Sequence, residues 1–175
     1  VSAILHPSST ASVECVACVA LGSNLGDRAE HLRSARRGIA ALDQVQIVAT
    51  SRMYESAAEG TDGPQPDYLN AVVALSTSRD VHDLWRDLVR LESHLGRTRP
   101  VDQRNAARTI DIDLLFYDDL SIATERLTLP HPRLFSRSFV VVPLLEIGIE
   151  HIHGQPLRGL PGADPTRVTP LSEVW

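Results

Sequence analysis

Most of this chain follows one of the two periods of regular structure in its apolar and polar positions. The short continuous apolar run Cys15-Val16-Ala17-Cys18-Val19-Ala20-Leu21 predicts a buried strand. It opens into Gly22-Ser23-Asn24-Leu25-Gly26-Asp27 and then a helix whose apolar positions, Ala29, Leu32, Ala35, Ile39 and Leu42, return at helical spacing, with Asp27 or Asn24 as its cap. Residues 45–55 read as a second strand. Residues 67–76 read as a third, with Leu69, Ala71, Val73 and Leu75 on one face and Asn70, Val72 and Ala74 on the other. Val81, Leu84, Trp85, Leu88, Leu91 and Leu95 form the stripe of a second helix, opened by Asp80 and closed by Gly96. A basic loop, 97–108, leads into a strand at 109–117. This β-α-β-β-α-β order is the split βαβ pattern, an α+β ferredoxin-like sandwich with helices packed on the faces of an antiparallel sheet. Residues 132–149 read as further helix broken at Pro143, and the Gly- and Pro-containing segment from 151 as a short closing element. No repeat or dividing linker interrupts residues 15–175, which read as one domain behind a flexible arm, 1–14.

The chemistry concentrates in Thr109-Ile110-Asp111-Ile112-Asp113-Leu114-Leu115. Strand alternation puts Ile110, Ile112 and Leu114 on one face and both carboxylates on the other, about 7 Å apart along the backbone. Adjacent carboxylates repel unless a cation lies between them. Hard oxygens suit Mg²⁺, which takes one or two carboxylates and completes its shell with water and phosphate. The strand follows Arg97, Arg99, Arg104 and Arg108, opposed only by Asp102, and precedes Arg126, Arg133 and Arg137 around His131. Guanidinium forks bind phosphate oxygens bidentately, so the whole suits a metal–polyphosphate complex. Taken alone, the D-x-D also fits an Mg²⁺-dependent nucleotidyl- or glycosyltransferase, or a module that binds nucleotide without catalysis.

Composition narrows this. All 17 basic residues are Arg, which removes Schiff-base chemistry, a lysine base and the Walker-type lysine. The Gly22–Gly26 turn lacks a following Gly-Lys-Ser/Thr and the G-x-G-x-x-G pattern, so it reads as a tight turn lining a site. A net charge of −5 argues against a nucleic-acid scaffold. No apolar run approaches the roughly 18 residues of a membrane span, and residues 1–14 lack the features of a secretory signal. Cys15 and Cys18 fall on opposite sides of a strand, so they read as packing residues in a reducing compartment, placing the protein in the cytoplasm. His151-Ile152-His153 has same-face strand spacing but no third ligand, and reads as exposed polar surface.

With these residues in hand, the chain resembles the 6-hydroxymethyl-7,8-dihydropterin pyrophosphokinase family of folate biosynthesis. The resemblance spans about residues 16–150 and rests on five collinear motifs: LGSNLGDR (21–28), PDYLNAVVAL (66–75), LESHLGRTR (91–99), ARTIDIDLLFYD (107–118) and LTLPHPRLFSRSFVVVPLLEI (127–147). It implies transfer of the β,γ-diphosphate of ATP to the pterin's 6-hydroxymethyl group, releasing AMP. It implies two Mg²⁺ ions on Asp111 and Asp113, and Arg97 and Arg108 on the transferring phosphates, these four being the catalytic set. His131 and Arg137 would also hold ATP, with Arg99, Arg126 and Thr128 near the nucleotide. The pterin would lie between Tyr68 and Phe139, beside Ser56, with Asn70 bonding its amide-like edge. A monomer with no nucleic-acid or membrane partner is expected. The sequence departs from the family's frequent Trp-Gly-Pro between two arginines, having Arg104-Asn105-Ala106-Ala107-Arg108, and carries Ser56-Ala57-Ala58 in place of the usual Thr-Pro.

Overall fold

The computed structural model describes residues 14–60, 63–96, 106–172 and 175. The elements run β1 (Cys15–Ser23), α1 (Arg28–Ala40), β2 (Val45–Thr50), β3 (Tyr54–Ser56), β4 (Tyr68–Thr77), α2 (Val81–His94), β5 (Asp111–Tyr117), β6 (Ile122–Ala123), β7 (Thr128–Leu129), α3 (Ser138–Glu146), β8 (His151–Ile152), β9 (Gln155–Pro156) and β10 (Thr169–Pro170). The main sheet has the order β10-β3-β4-β1-β5, with β2 also on β4, and every pairing is antiparallel. This is the ferredoxin-like order expected from the sequence. The arm expected at 1–14 lies outside the described residues except Glu14, whose Oε2 accepts from Ser76 Oγ at 2.7 Å.

Strand alternation distributes the core. Ala17, Val19 and Leu21 of β1, Ala71, Val73 and Leu75 of β4 and Ile112 and Leu114 of β5 face α1 and α2, meeting Leu32, Ile39, Leu84 and Leu88. The opposite face sets Cys18, Val72 and Ala74 against Val140, Val141 and Leu144 of α3. Both cysteines are free thiols, with Cys18 buried. Asp27 caps α1, accepting from Glu30 N at 3.0 Å, and Asp80 caps α2, accepting from His82 N at 2.8 Å.

Three expectations change. The single strand expected at 45–55 is broken between Thr50 and Tyr54, because side chains take over the backbone partners there. Val72 N–H donates to Ser51 Oγ at 3.0 Å, and Arg52 N–H donates to Glu146 Oε2 at 3.0 Å. Pro143 does not break its helix: α3 continues to Glu146, since the lost backbone hydrogen bond is offset by burying Val140, Val141 and Leu144 on the sheet. His151 and His153 do not share a strand face. β8 ends at Ile152, and His153 (φ 51°) and Gly154 (φ 73°) make the tight turn to β9.

Candidate active site

At one end of the α3 face, the sheet register draws three positions into a row. Gly22, near the end of β1, pairs with Asn70 of β4 on one side and Asp111 of β5 on the other. A Cβ on residue 22 would meet Asn70 Oδ1 at 3.2 Å, Tyr68 Cδ1 at 3.7 Å and Asp111 Cβ at 3.9 Å, so glycine keeps the floor open between them. Above it lies a partly open cleft, lined from β1, β3, β4, β5 and α3.

The four residues expected around the pterin, Ser56, Tyr68, Asn70 and Phe139, all line this cleft. Ser56 and Tyr68 are directly paired across β3 and β4, and Asn70 follows Tyr68 on the same face. Asn70 is buried, and its Nδ2 donates to Ser56 Oγ at 3.0 Å and the Tyr54 carbonyl at 3.5 Å. A carbonyl accepts only, so the amide's orientation is fixed: the NH₂ points to β3 and Oδ1 toward the position above Gly22. With Ser56 Oγ accepting from Asn70, its own hydrogen is available for a ligand acceptor. Phe139 enters from α3, with the Arg137 guanidinium 5.2 Å from its ring centroid.

Asp111 and Asp113 close the end of the cleft while Ile110, Ile112 and Leu114 anchor the other face in the core. Arg108 Nη1 lies 3.0 Å from Asp111 Oδ2. Burial disfavours the Arg108 charge, but the charges of Asp111, then Tyr68 and Asp113, with a hydrogen bond to Asp111, outweigh it and hold its pKa above the usual arginine value. The Arg108 backbone is fixed by Asn24, whose Oδ1 accepts from Arg108 N at 2.7 Å and whose N donates to Arg108 O at 3.1 Å. Asn24 Nδ2 also donates to Gln65 Oε1 at 3.1 Å and Pro66 O at 3.2 Å, so one buried side chain ties the segment before Tyr68 to the segment before Asp111. Asn24 thus joins two loops, and Asp27 caps the helix.

Arg137 Nη1 and His131 Nε2 approach Asp113 Oδ2 at 4.0 and 3.9 Å. Burial, then the charges of Arg137 and Arg133, push His131 down to about 4, so the ring is neutral near pH 7 and its contact with Asp113 is not an ion pair. Its Nδ1 accepts from Arg133 N at 3.2 Å, which leaves the hydrogen on Nε2, facing Asp113.

A second cleft adjoins the first, and Asp113 lines both. Trp85, Val89, Leu114 and Leu127 form its apolar walls, and Arg126, Thr128 and His131, three of the residues expected near ATP, line it too. Arg108 and Arg137 belong to the first cleft. Arg97 and Arg99 lie outside the described residues. Sequence reasoning passed over Glu92, a buried carboxylate on α2 whose Oε1 accepts from Ile112 N at 2.8 Å, between the two aspartates. The signal for it was a charge four residues beyond Leu88, on the apolar stripe of α2. Glu59, given no role from sequence, and Arg133, read there only as one of a basic group, also line the first cleft.

Among the described residues no group of three or more His, Cys, Asp and Glu could hold a metal ion through protein ligands alone. Mg²⁺ needs no such group, because it keeps waters and substrate oxygens beside one or two carboxylates. Two aspartates on one strand face, with a guanidinium already drawn to one of them, are a donor set of that kind.

Comparison with known proteins places the chain in a family. The family of 7,8-dihydro-6-hydroxymethylpterin-pyrophosphokinase (HPPK) matches residues 18–149. A Haemophilus influenzae protein named 2-amino-4-hydroxy-6-hydroxymethyldihydropteridine pyrophosphokinase is 42% identical over 131 residues, 75% of this chain and 80% of that protein. The folic acid synthesis protein fol1 of Pneumocystis carinii is 37% identical over 142 residues, 81% of this chain but 18% of that protein. The solved structure of wild-type Plasmodium falciparum HPPK-DHPS with pteroate shares the fold, with a TM-score of 0.66 at 14% identity over 86% of this chain. This chain covers 44% of that solved chain, less than half its length. The matched span runs from within β1 through α3 and includes every residue named above as lining either cleft, and the chain belongs to the 7,8-dihydro-6-hydroxymethylpterin-pyrophosphokinase family.

Proposed function

We propose that this chain transfers the β,γ-diphosphate of ATP to the 6-hydroxymethyl group of 6-hydroxymethyl-7,8-dihydropterin and releases AMP, as a step of folate synthesis. The observation that carries this reading is the meeting of two unlike clefts at Asp113. One has an aromatic residue on β4 and another on α3 with a fixed amide between them, which suits a flat heterocycle. The other has apolar walls and Arg126, which suits a purine nucleotide.

In this reading the pterin stacks between Tyr68 and Phe139, with Asn70 Oδ1 accepting from its amide-like edge. The hydroxymethyl oxygen attacks Pβ. The bond from Pβ to the oxygen bridging it to Pα breaks, that oxygen leaves with AMP, and the hydroxyl proton passes to solvent. Asp111 and Asp113 hold Mg²⁺, which when bound neutralises charge on the triphosphate. Arg108 and Arg137 bind phosphate oxygens, and the neutral His131 donates to one from Nε2. The family resemblance also assigns Arg97 to the phosphates and Arg99 to the nucleotide. Positioning and electrostatics do the work, without a protein nucleophile.

The free thiols Cys15 and Cys18 suit a reducing cytoplasm. No helix among the described residues is long and apolar enough to cross a membrane. We take the active form to be a monomer.

Incubating the protein with ATP, Mg²⁺ and 6-hydroxymethyl-7,8-dihydropterin tests the reading. AMP and pterin diphosphate in equal amounts are expected. ADP or inorganic diphosphate as the nucleotide-side product would exclude it, as would activity without Mg²⁺.

A further inference from the structure

We infer that Arg133 is a further phosphate-binding residue, one that engages the diphosphate as it passes from nucleotide to acceptor. The inference rests on the proposed diphosphate transfer. Arg133 lines the first cleft with Asp111, Asp113, Arg108 and Arg137. The other two arginines there are drawn to carboxylates: Arg108 sits 3.0 Å from Asp111 and Arg137 4.0 Å from Asp113. Among the described residues no carboxylate lies within ion-pairing distance of Arg133, and the residue is exposed.

Its backbone is nonetheless held. Arg133 N donates to His131 Nδ1 at 3.2 Å, and Arg133 O accepts from Ser136 Oγ at 3.2 Å. The side chain therefore pivots from a fixed point at the cleft mouth. The two aspartates draw Arg108 and Arg137, which leaves the Arg133 guanidinium for an arriving anion. A diphosphate offers several oxygens to fork-shaped donors, and guanidinium is the side chain best matched to them. Arg133 accordingly serves the β- and γ-phosphates and contributes little to AMP or pterin binding.

The test is Arg133→Met and Arg133→Lys in the full chain. ATP and AMP affinities are measured by calorimetry, together with kcat and KM for both substrates. Arg133→Met is expected to lower kcat/KM for ATP about tenfold to a hundredfold, the loss of one charge-assisted bidentate contact. Affinity for AMP and KM for the pterin should stay within about twofold. Arg133→Lys should recover only part of the loss. Equal weakening of ATP and AMP, or an unchanged kcat/KM for ATP, would overturn the assignment. Failure of the unaltered protein to form AMP would instead sink the underlying reading.

Discussion

The carboxylate of Glu92, buried on α2, accepts a hydrogen bond from the backbone N–H of Ile112 at 2.8 Å. Ile112 separates the two aspartates, and β5 is the edge strand of the main sheet. An edge strand has one row of backbone groups without a strand partner, and here the helix supplies a charged acceptor for one of them. Glu92 thus fixes the backbone of β5 between Asp111 and Asp113.

Glu92→Ala should leave that N–H buried without this acceptor and destabilise the protein by about 1–3 kcal/mol. Glu92→Gln keeps an acceptor oxygen and should retain more of the stability. Urea unfolding of both variants checks this. An alanine variant as stable as the parent would mean that the bond contributes nothing.

Replacing Asp111 or Asp113 by Asn should reduce turnover at least about a thousandfold, because several kcal/mol of charge stabilisation is lost and each 1.4 kcal/mol is tenfold in rate. Pterin affinity should fall far less, since Tyr68, Asn70 and Phe139 remain. Measuring kcat beside pterin binding separates this from misfolding, which would abolish both.

Gly22→Ala tests the open floor. The added Cβ would sit 3.2 Å from Asn70 Oδ1, tighter than ordinary contact, in the space that a ring bonded to that oxygen needs. Pterin affinity should drop about tenfold, roughly the effect of losing one hydrogen bond. The melting temperature should barely change, because the backbone at residue 22 is ordinary extended strand. Calorimetric titration with the pterin provides the check.

The pH dependence of stability follows from His131. Its pKa falls from 6.5 in the unfolded chain to about 4 in the folded one, because burial and two nearby arginines oppose the charged ring. Between those values the unfolded chain binds the extra proton, so stability rises with pH there. The full contribution is present above pH 6.5 and is lost as pH falls toward 4. Its size is roughly 3 kcal/mol. In metal-free protein, His131→Asn should flatten the stability profile between pH 4 and 6.5. An unchanged profile would show that another group carries the dependence.

Much of the fold was legible because alternation and helical stripes are local consequences of a face being buried. The Ile110-Asp111-Ile112-Asp113-Leu114 alternation encodes both a core contact and a site wall. Ser51-Arg52-Met53 was not legible as a break. Its backbone partners are side chains distant in sequence, such as Glu146, and no periodicity shows them. The continuation of α3 through Pro143 depends likewise on how strongly Val141 and Leu144 are held by the sheet. His151 and His153 looked paired only under an assumed strand, and the Gly154 turn removes that geometry. The pairing of Asn24 with both Gln65 and Arg108 joins segments about 40 and 84 residues away, and a single cap position gives no hint of it.

The second cleft offers its own reporter. Trp85 lines it beside Leu114, Leu127 and Arg126, whereas Trp175, the chain's other tryptophan, packs on Arg36 and donates to the Ser51 carbonyl at 2.8 Å. A purine entering the cleft would displace water from the exposed part of the Trp85 indole and stack near it. Adding ATP and Mg²⁺ should therefore change tryptophan emission saturably, and the pterin must be left out because it absorbs in the same range. Trp85→Phe should remove that change while leaving turnover within a few-fold, and Trp175→Phe should leave the change intact. If the signal instead disappeared with Trp175, the nucleotide would have to bind on the α1 side of the molecule, away from Asp113, and the two-cleft arrangement would not describe how the substrates meet.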